Sequence, residues 1–289
     1  MARLSLTNNR YRLQQGLTLV ELLVALTLGL LVTATFLQIF SGSKKLYLVQ
    51  EQSSGIQDNG KFALEWLGKY IRLAGYRDDP TIRKQYTFRL PVTVRSCGSP
   101  AITLSSGQVI TGRDYIVDVV KGTYNSDCII FRYQGNIDGS ITDCFGTSID
   151  NNGQADNPQT VINVFFLGFD QNINDWALRC DSITLNANGS IGRNWISQAF
   201  INNVQDMQIL YGVFDNTAGT QVYLPAAQVA NWTNVVSVKI ALLLRSEDNA
   251  SITDQNQPYY FPPWNNNQPV TPNDFRLRRV FTTTINLRN

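Results

Sequence analysis

Residues 17–40 (LTLVELLVALTLGLLVTATFLQIF) hold a single ionisable side chain, Glu21. Twenty-four residues at about 1.5 Å each make about 36 Å of helix, enough to cross a hydrocarbon core of roughly 30 Å. This stretch reads as a membrane span. Arg3, Arg10 and Arg12 precede it with no acid among residues 1–16, and the next basic residues are Lys44 and Lys45. The positive-inside rule therefore expects the N-terminus in the cytoplasm and the remaining mass across the membrane. A secretory signal peptide would have a shorter apolar core followed by small residues at a cleavage site. Here the apolar run leads instead into SGSKKLYLVQEQ, the beginning of an amphipathic helix.

A carboxylate inside a span costs about 2.5–3.5 kcal/mol on insertion scales and usually marks a function with a partner. No Lys or Arg lies between residues 17 and 40, so the partner of Glu21 must come from elsewhere. The sequence Gly16-Leu17-Thr18-Leu19-Val20-Glu21, after a short basic leader and before an apolar helix, resembles the class III signal of type IV prepilins and pseudopilins. The resemblance implies that a prepilin peptidase cuts after Gly16 and methylates the new terminus at Leu17. It also implies that Glu21, the fifth mature residue, pairs with the terminal amine of a neighbouring subunit. Leu17 stands where the family usually has phenylalanine. In a low-dielectric setting an unpaired carboxylate is costly, so such a pair sets the register between staggered helices more than it adds stability.

The helix is expected to continue past Phe40. Residues 44–74 contain no proline, and Ile56, Ala63, Leu67, Tyr70, Ile71 and Ala74 recur at helical spacing, with Gly75 as a C-cap. Beyond Tyr76 the pattern changes to short runs of period two, at 115–120, 128–133, 161–167, 207–214, 235–244 and 280–287. In 235–244, Val236, Val238, Ile240, Leu242 and Leu244 share one face. The expected organisation is a leader over 1–16, a transmembrane and assembly helix over 17–41, its amphipathic continuation over 42–75, and a β-rich head over 76–289. The fold class is α+β, a long helix laid on an antiparallel sheet.

Longer stretches narrow the resemblance. ALEWLGKYIRLAGY (63–76), NVQDMQILYGVFD (203–215), WTNVVSVKIALLLRS (232–246) and RLRRVFTTTINLRN (276–289) resemble the PilW-type minor pilins. The resemblance implies a protein that nucleates type IV pilus assembly with other minor pilins, the major pilin and a large tip adhesin. Such proteins start in the inner membrane and end at or near the pilus tip, supporting twitching motility, adhesion and often DNA uptake. The pseudopilin of a type II secretion system would share Gly16, Leu17 and Glu21, but the cysteine-bearing head and the C-terminal similarity favour the pilus version.

Four cysteines, Cys97, Cys128, Cys144 and Cys180, include no C-x-x-C and suit two disulfides in an oxidising compartment, with three pairings open. Cys97–Cys128 with Cys144–Cys180 is favoured, because the second bond would clip the loop between two strand regions and resembles cysteine placement in this family. In the chain-entropy model such a closure adds up to about 3–4 kcal/mol.

The chain has no histidine, which removes the usual neutral-pH base and the commonest metal ligand. With no G-x-S-x-G and no phosphate loop either, the expectation is a non-enzymatic protein without cofactor or metal. Asp170, Asn172, Asn174 and Asp181 have an EF-hand-like spacing, but Asp175 stands where glycine belongs, so an Asn-rich hairpin turn is the better reading. Asp150, Asn152 and Asp156 form a looser cluster without loop grammar. Tyr259, Tyr260, Phe261 and Trp264 lie in a Pro- and Asn-rich segment that would either contact a neighbouring subunit or adhesin, or plug its own sheet. Arg276, Arg278 and Arg279 beside Phe275 and Phe281 suit an edge strand better than a nucleic-acid stripe, so direct nucleic-acid binding is not expected. The 24 Lys+Arg against 22 Asp+Glu give +2, but the three leader arginines would leave on cleavage, and 21 against 22 is −1. The weakly basic total therefore belongs to the precursor and implies no acidic partner.

Overall fold

The computed structural model describes residues 16–77, 88, 90–98, 100–118, 122–136, 138–149, 159–186, 188–215, 218–249, 258–262 and 269–287. The chain divides into Met1–Leu48 and Val49–Asn289. One helix, α1, runs from Leu19 to Ile71. It starts where Thr18 stands three residues before Glu21, the T-x-x-E spacing of a capping box, and the Thr18 hydroxyl accepts the Glu21 N–H at 3.3 Å. In the first unit the described residues of α1 are exposed through Leu48, and its threonines return their hydroxyls to backbone carbonyls of the preceding turn, as Thr33 does to Gly29 at 2.9 Å. This helix is long and apolar enough to cross a membrane. It ends before Gly75, whose φ of +80° needs a residue without Cβ.

In the second unit, Ile56, Ala63, Leu67, Tyr70 and Ile71 of α1 are buried, the helical spacing expected from sequence. They enter a core lined by two antiparallel sheets. The larger sheet has the order β3 (Ile110–Asp118), β4 (Gly122–Gln134), β5 (Thr160–Asp170), β6 (Asp175–Leu185) and β7 (Ile191–Asn202). The smaller has β11 (Arg278–Asn286), β10 (Val235–Arg245), β8 (Val204–Asp215) and β9 (Thr220–Leu224). A third pair, β1 (Val92–Val94) with β2 (Ile102–Leu104), completes the head's described strands. The α+β architecture of a long helix with antiparallel sheets is thus present.

The apolar runs of β4 and β5 are buried on both faces. Ile129, Phe131, Tyr133, Val161 and Phe165 face the helix core, while Cys128, Ile130, Ile162 and Val164 join Val94 and Leu104 of β1 and β2 in a second core. That is why 161–167 reads as nearly continuous hydrophobe instead of a clean alternation. A single residue, Asn203 at φ 61°, passes the chain from β7 into β8 and so from one sheet to the other. Asparagine tolerates this left-handed geometry better than most residues.

At the start of β10 the structure departs from the sequence expectation. A register shift between Val235 and Ser237 puts Val235, not Val236, in the helix-side core with Val238, Ile240, Leu242 and Leu244. A bulge changes the phase of alternation, and sequence period alone does not reveal it. The opposite face is covered too, since Ala241 and Leu243 lie beneath Phe261.

Close approach between α1 and β11 depends on Gly60, where a Cβ would overlap the Phe281 ring. Gly60→Ala is expected to cost about 1–3 kcal/mol from overpacking, more than the helix-propensity gain of about 0.8–1 kcal/mol. The urea midpoint of the full-length protein in detergent measures it, and an unchanged or raised midpoint would refute the close fit.

Candidate functional site

Gly16, Leu17 and Glu21 stand at the start of α1. Gly16 has open space around its Cα, Leu17 is exposed, and Glu21 occupies the first turn of the helix. A carboxylate there faces the partial positive charge of the unpaired N–H groups. Glu21 makes no ion pair among the described residues. Arg3, Arg10 and Arg12 lie outside the described residues.

The two disulfides are Cys97–Cys128 and Cys144–Cys180, and they serve different cores. Cys97 and Cys128 sit in the small core under β1 and β2, whereas Cys144 and Cys180 belong to the helix-side core. Around the second, the Tyr133 hydroxyl donates to the Thr142 carbonyl at 2.8 Å and accepts the Asn163 amide at 2.9 Å. Fully buried Asp143 accepts the N–H groups of Phe145 and Thr147 and pairs with Arg193 of β7. The connection between β4 and β5 is thereby fastened to β6 and β7 at its middle.

Among the aromatic residues of 255–269, Trp264 lies outside the described residues. The other three do not form one exposed cluster. Phe261 is buried over Ala241 and Leu243. Tyr259 packs beside it, its hydroxyl accepting the Gln205 amide at 3.2 Å and its ring lying under Arg278. Tyr260 alone of the three is exposed, at 61 %. The physical reason is that the outer face of β10 is apolar at Ala241 and Leu243, and the segment covers it with its own ring. The interaction reading is therefore reduced to Tyr260 among the described residues.

The acidic and basic positions are also engaged. Asp170 accepts the Asn172 N–H at 2.9 Å and pairs with Arg179 at 3.3 Å, closing the turn between β5 and β6. Asp181 accepts from Ser96 instead of joining that turn. No group of three or more His, Cys, Asp or Glu side chains able to hold a metal occurs among the described residues. Asp150, Asn152 and Asp156 lie outside them. Arg276 pairs with Asp175 at 3.3 Å, Arg278 with Asp274 at 2.6 Å, and Arg279 donates to Ser53 at 3.1 Å. Arg278 pulls the Asp274 carboxyl below its usual range.

Two interior features were not anticipated from sequence. Arg132 is 1 % exposed, yet its guanidinium donates to the carbonyls of Gln108 (2.7 Å), Leu90 (2.8 Å), Phe88 (3.0 Å) and Ser105 (2.6 Å). The Phe88 ring stacks 5.0 Å from it. Burial lowers its pKa to about 10, so it is charged at neutral pH. An arginine inside the apolar run CIIFRY was the available signal.

The second feature is Asp127, where β4 meets β8. Its carboxylate accepts the N–H of Ile209 at 2.7 Å and of Tyr115 at 3.2 Å. Burial nevertheless outweighs these bonds and raises its pKa from 3.8 to about 8, with help from Asp114. Burial likewise raises Asp206 to about 7. A carboxyl whose pKa is higher folded than unfolded stabilises the protein fully below the unfolded value and loses that contribution as pH rises through the folded one. The urea midpoint is accordingly expected to fall between pH 5 and pH 8; a midpoint that rises across this window would contradict it.

Similarity to known proteins falls on the two ends of the chain separately. Residues 164–289 match the family model of type IV pilus-assembly protein W, PilW. Residues 11–37 match the prokaryotic N-terminal methylation motif. No curated protein matches the chain. Among solved structures, a type IV-like pilin from Thermus thermophilus aligns at 12 % identity over 80 % of this chain and 96 % of its own, with a TM-score of 0.42, and no residue role is drawn from it.

Proposed function

We propose that this chain, with the N-terminal methylation motif of prepilin-type proteins and a PilW-type head, is a minor pilin that initiates type IV pilus assembly. The observation that carries the reading is the wholly exposed apolar segment of α1 with one acid, Glu21, inside the matched N-terminal methylation motif. Apolar surface of that extent needs lipid or other helices around it. Before assembly the helix holds the chain in the inner membrane, with the N-terminus cytoplasmic and the head periplasmic. Prepilin peptidase cuts between Gly16 and Leu17 and methylates Leu17.

In the pilus the neighbouring helices replace lipid, and Glu21 meets the terminal amine of an adjacent subunit. The head, clipped by its two disulfides, stands at or near the tip with other minor pilins and a tip adhesin. Twitching, adhesion and DNA uptake depend on the filament so initiated. The function requires no catalytic group in this chain.

Deletion of the protein, scored for surface pili, twitching and secreted enzymes, tests this. Lost piliation and twitching with normal secretion is the expected result. Normal piliation with lost secretion would transfer the chain to a type II secretion pseudopilus.

A further inference from the structure

In the first unit the apolar run of α1 ends at Phe40, and Ser41, Gly42 and Ser43 follow it. Then come Lys44, Lys45, Leu46, Tyr47 and Leu48, all exposed on the same unbroken helix. Neither lysine makes an ion pair or a side-chain hydrogen bond among the described residues. No acid occurs between Glu21 and Glu51, so none stands within one helical turn of either lysine. Their counter-anion comes from outside this stretch of the chain.

The spacing matches one source of anions. Lys44 and Lys45 stand four and five residues beyond Phe40, about 6–7.5 Å along the helix. A bilayer of about 40–45 Å around a hydrocarbon core of about 30 Å leaves a polar layer of about 5–7.5 Å on each side. With Phe40 at the edge of the core, both ammonium groups lie in the layer of the lipid phosphates, and their flexible stems adjust the depth. Adjacent residues point about 100° apart around a helix, so a carboxylate on one neighbouring chain would answer one lysine, whereas phosphates surround the helix on every side. Tyr47, one turn from Lys44, has the amphipathic ring enriched at membrane interfaces. Orientation gains nothing from these lysines, since basic residues on the far side weaken the bias that Arg3, Arg10 and Arg12 set.

We propose that Lys44 and Lys45, with Tyr47 beside them, form a headgroup site on α1 that binds the phosphates of anionic phospholipid in the periplasmic leaflet of the inner membrane. A zwitterionic headgroup carries its own cation beside the phosphate, while phosphatidylglycerol offers an uncompensated one, so the site prefers the anionic lipid. The contact fixes the depth of the unassembled chain, and entry into a filament requires these phosphates to be given up. This inference rests on the reading of the chain as an inner-membrane subunit before assembly.

The full chain in phosphatidylcholine vesicles tests it, with a trace of either phosphatidylglycerol or phosphatidylcholine that carries a photo-crosslinker on its headgroup. Linked residues are mapped on chains that float with the vesicles and hold both disulfides. Linkage within 41–48 is expected to favour phosphatidylglycerol by about fivefold or more, the factor for one lysine near an anionic surface. Lys44→Gln with Lys45→Gln should bring the two lipids level, and Lys44→Arg with Lys45→Arg should keep the preference. Equal linkage in the unaltered chain, a preference that survives the glutamine pair, one lost in the arginine pair, or linkage only outside 41–48 would each overturn the proposal. So would a preference abolished by inorganic phosphate but not by sodium chloride of equal ionic strength, which would point to a free anion. Carbodiimide coupling of Lys44 or Lys45 to a carboxylate of another chain would assign the lysines to a neighbouring subunit and overturn it too. If the chain does not float with vesicles, the membrane reading itself falls; if it floats and the preference fails, only the headgroup site does.

Discussion

A chain carrying Glu21→Val is expected to insert, fold its head and reach wild-type levels in the membrane, yet to be missing from sheared surface filaments. Insertion should not suffer, since the substitution removes a carboxylate that costs about 2.5–3.5 kcal/mol within a span. Folding of the head should not suffer either, because Glu21 lies in the exposed first unit and forms no ion pair among the described residues. What disappears is the one group in residues 17–40 able to hold a cation in a low-dielectric surrounding. Glu21→Gln should fail in the same way despite its similar shape, and Glu21→Asp should restore part of the incorporation. Immunoblots of sheared filaments against membranes, with non-reducing gels for the disulfides, give the readout. Wild-type incorporation of the valine variant would show that the carboxylate is not the assembly group.

Arg132→Met is expected to lower the stability of the head by about 1.5–3 kcal/mol, the range for hydrogen bonds made by a charged group. Methionine fills much of the arginine stem's volume, but the carbonyls of Gln108 and Leu90 lose the guanidinium as donor, while those of Phe88 and Ser105 keep only the N–H groups of Gly107 (3.0 Å) and Gln108 (3.2 Å). An unpartnered buried acceptor costs about 1–3 kcal/mol, and these losses are not additive. Arg132→Lys keeps the charge but has three donors on one atom and cannot serve the planar fork, so it should recover only part of the loss. Urea unfolding of the full-length protein in detergent measures both variants. The damage should begin at β1 and β2, visible as early hydrogen exchange there, although Cys97–Cys128 still binds that region covalently. A midpoint shift equivalent to less than about 1 kcal/mol would mean that water serves these carbonyls as well as the guanidinium does.

Much of the fold was legible in the sequence because the signals were strong and local. An apolar run of membrane length, helical spacing from Ile56 to Ala74 and apolar strands each arise from one physical period. The runs at 128–133, 161–167, 207–214 and 235–244 all lie within observed strands, and 280–287 overruns β11 by one residue. Strand β6 was missed because Arg179 and Asp181 interrupt it, and Asp181 finds its partner, Ser96, far away in sequence. Strand β7 was missed for the opposite reason: it is polar and largely exposed on its own sheet's margin, so burial imposed no alternation on IGRNWISQ. Arg132 could be seen as odd in an apolar strand, but not why it is tolerated, since its four acceptors come from residues 88–108. The sequence of the aromatic segment at 259–261 suits a surface and a plug equally. Only the tertiary position of Ala241 and Leu243 decides that Phe261 is a plug.

The junction that ends α1 has a mechanical consequence. Immediately after the helix, Gly75 donates its N–H to the Arg132 carbonyl at 3.0 Å, and Gln134 donates to the Tyr76 carbonyl at 2.9 Å. A pull along the last turns of the helix is therefore transferred within a few residues to β4. That strand lies inside the sheet between β3 and β5, and it is also the strand bonded through Cys128 and anchored through Arg132. Tension enters the head at an interior strand and spreads laterally to both neighbours, so peeling of an outer strand is not the first thing to yield.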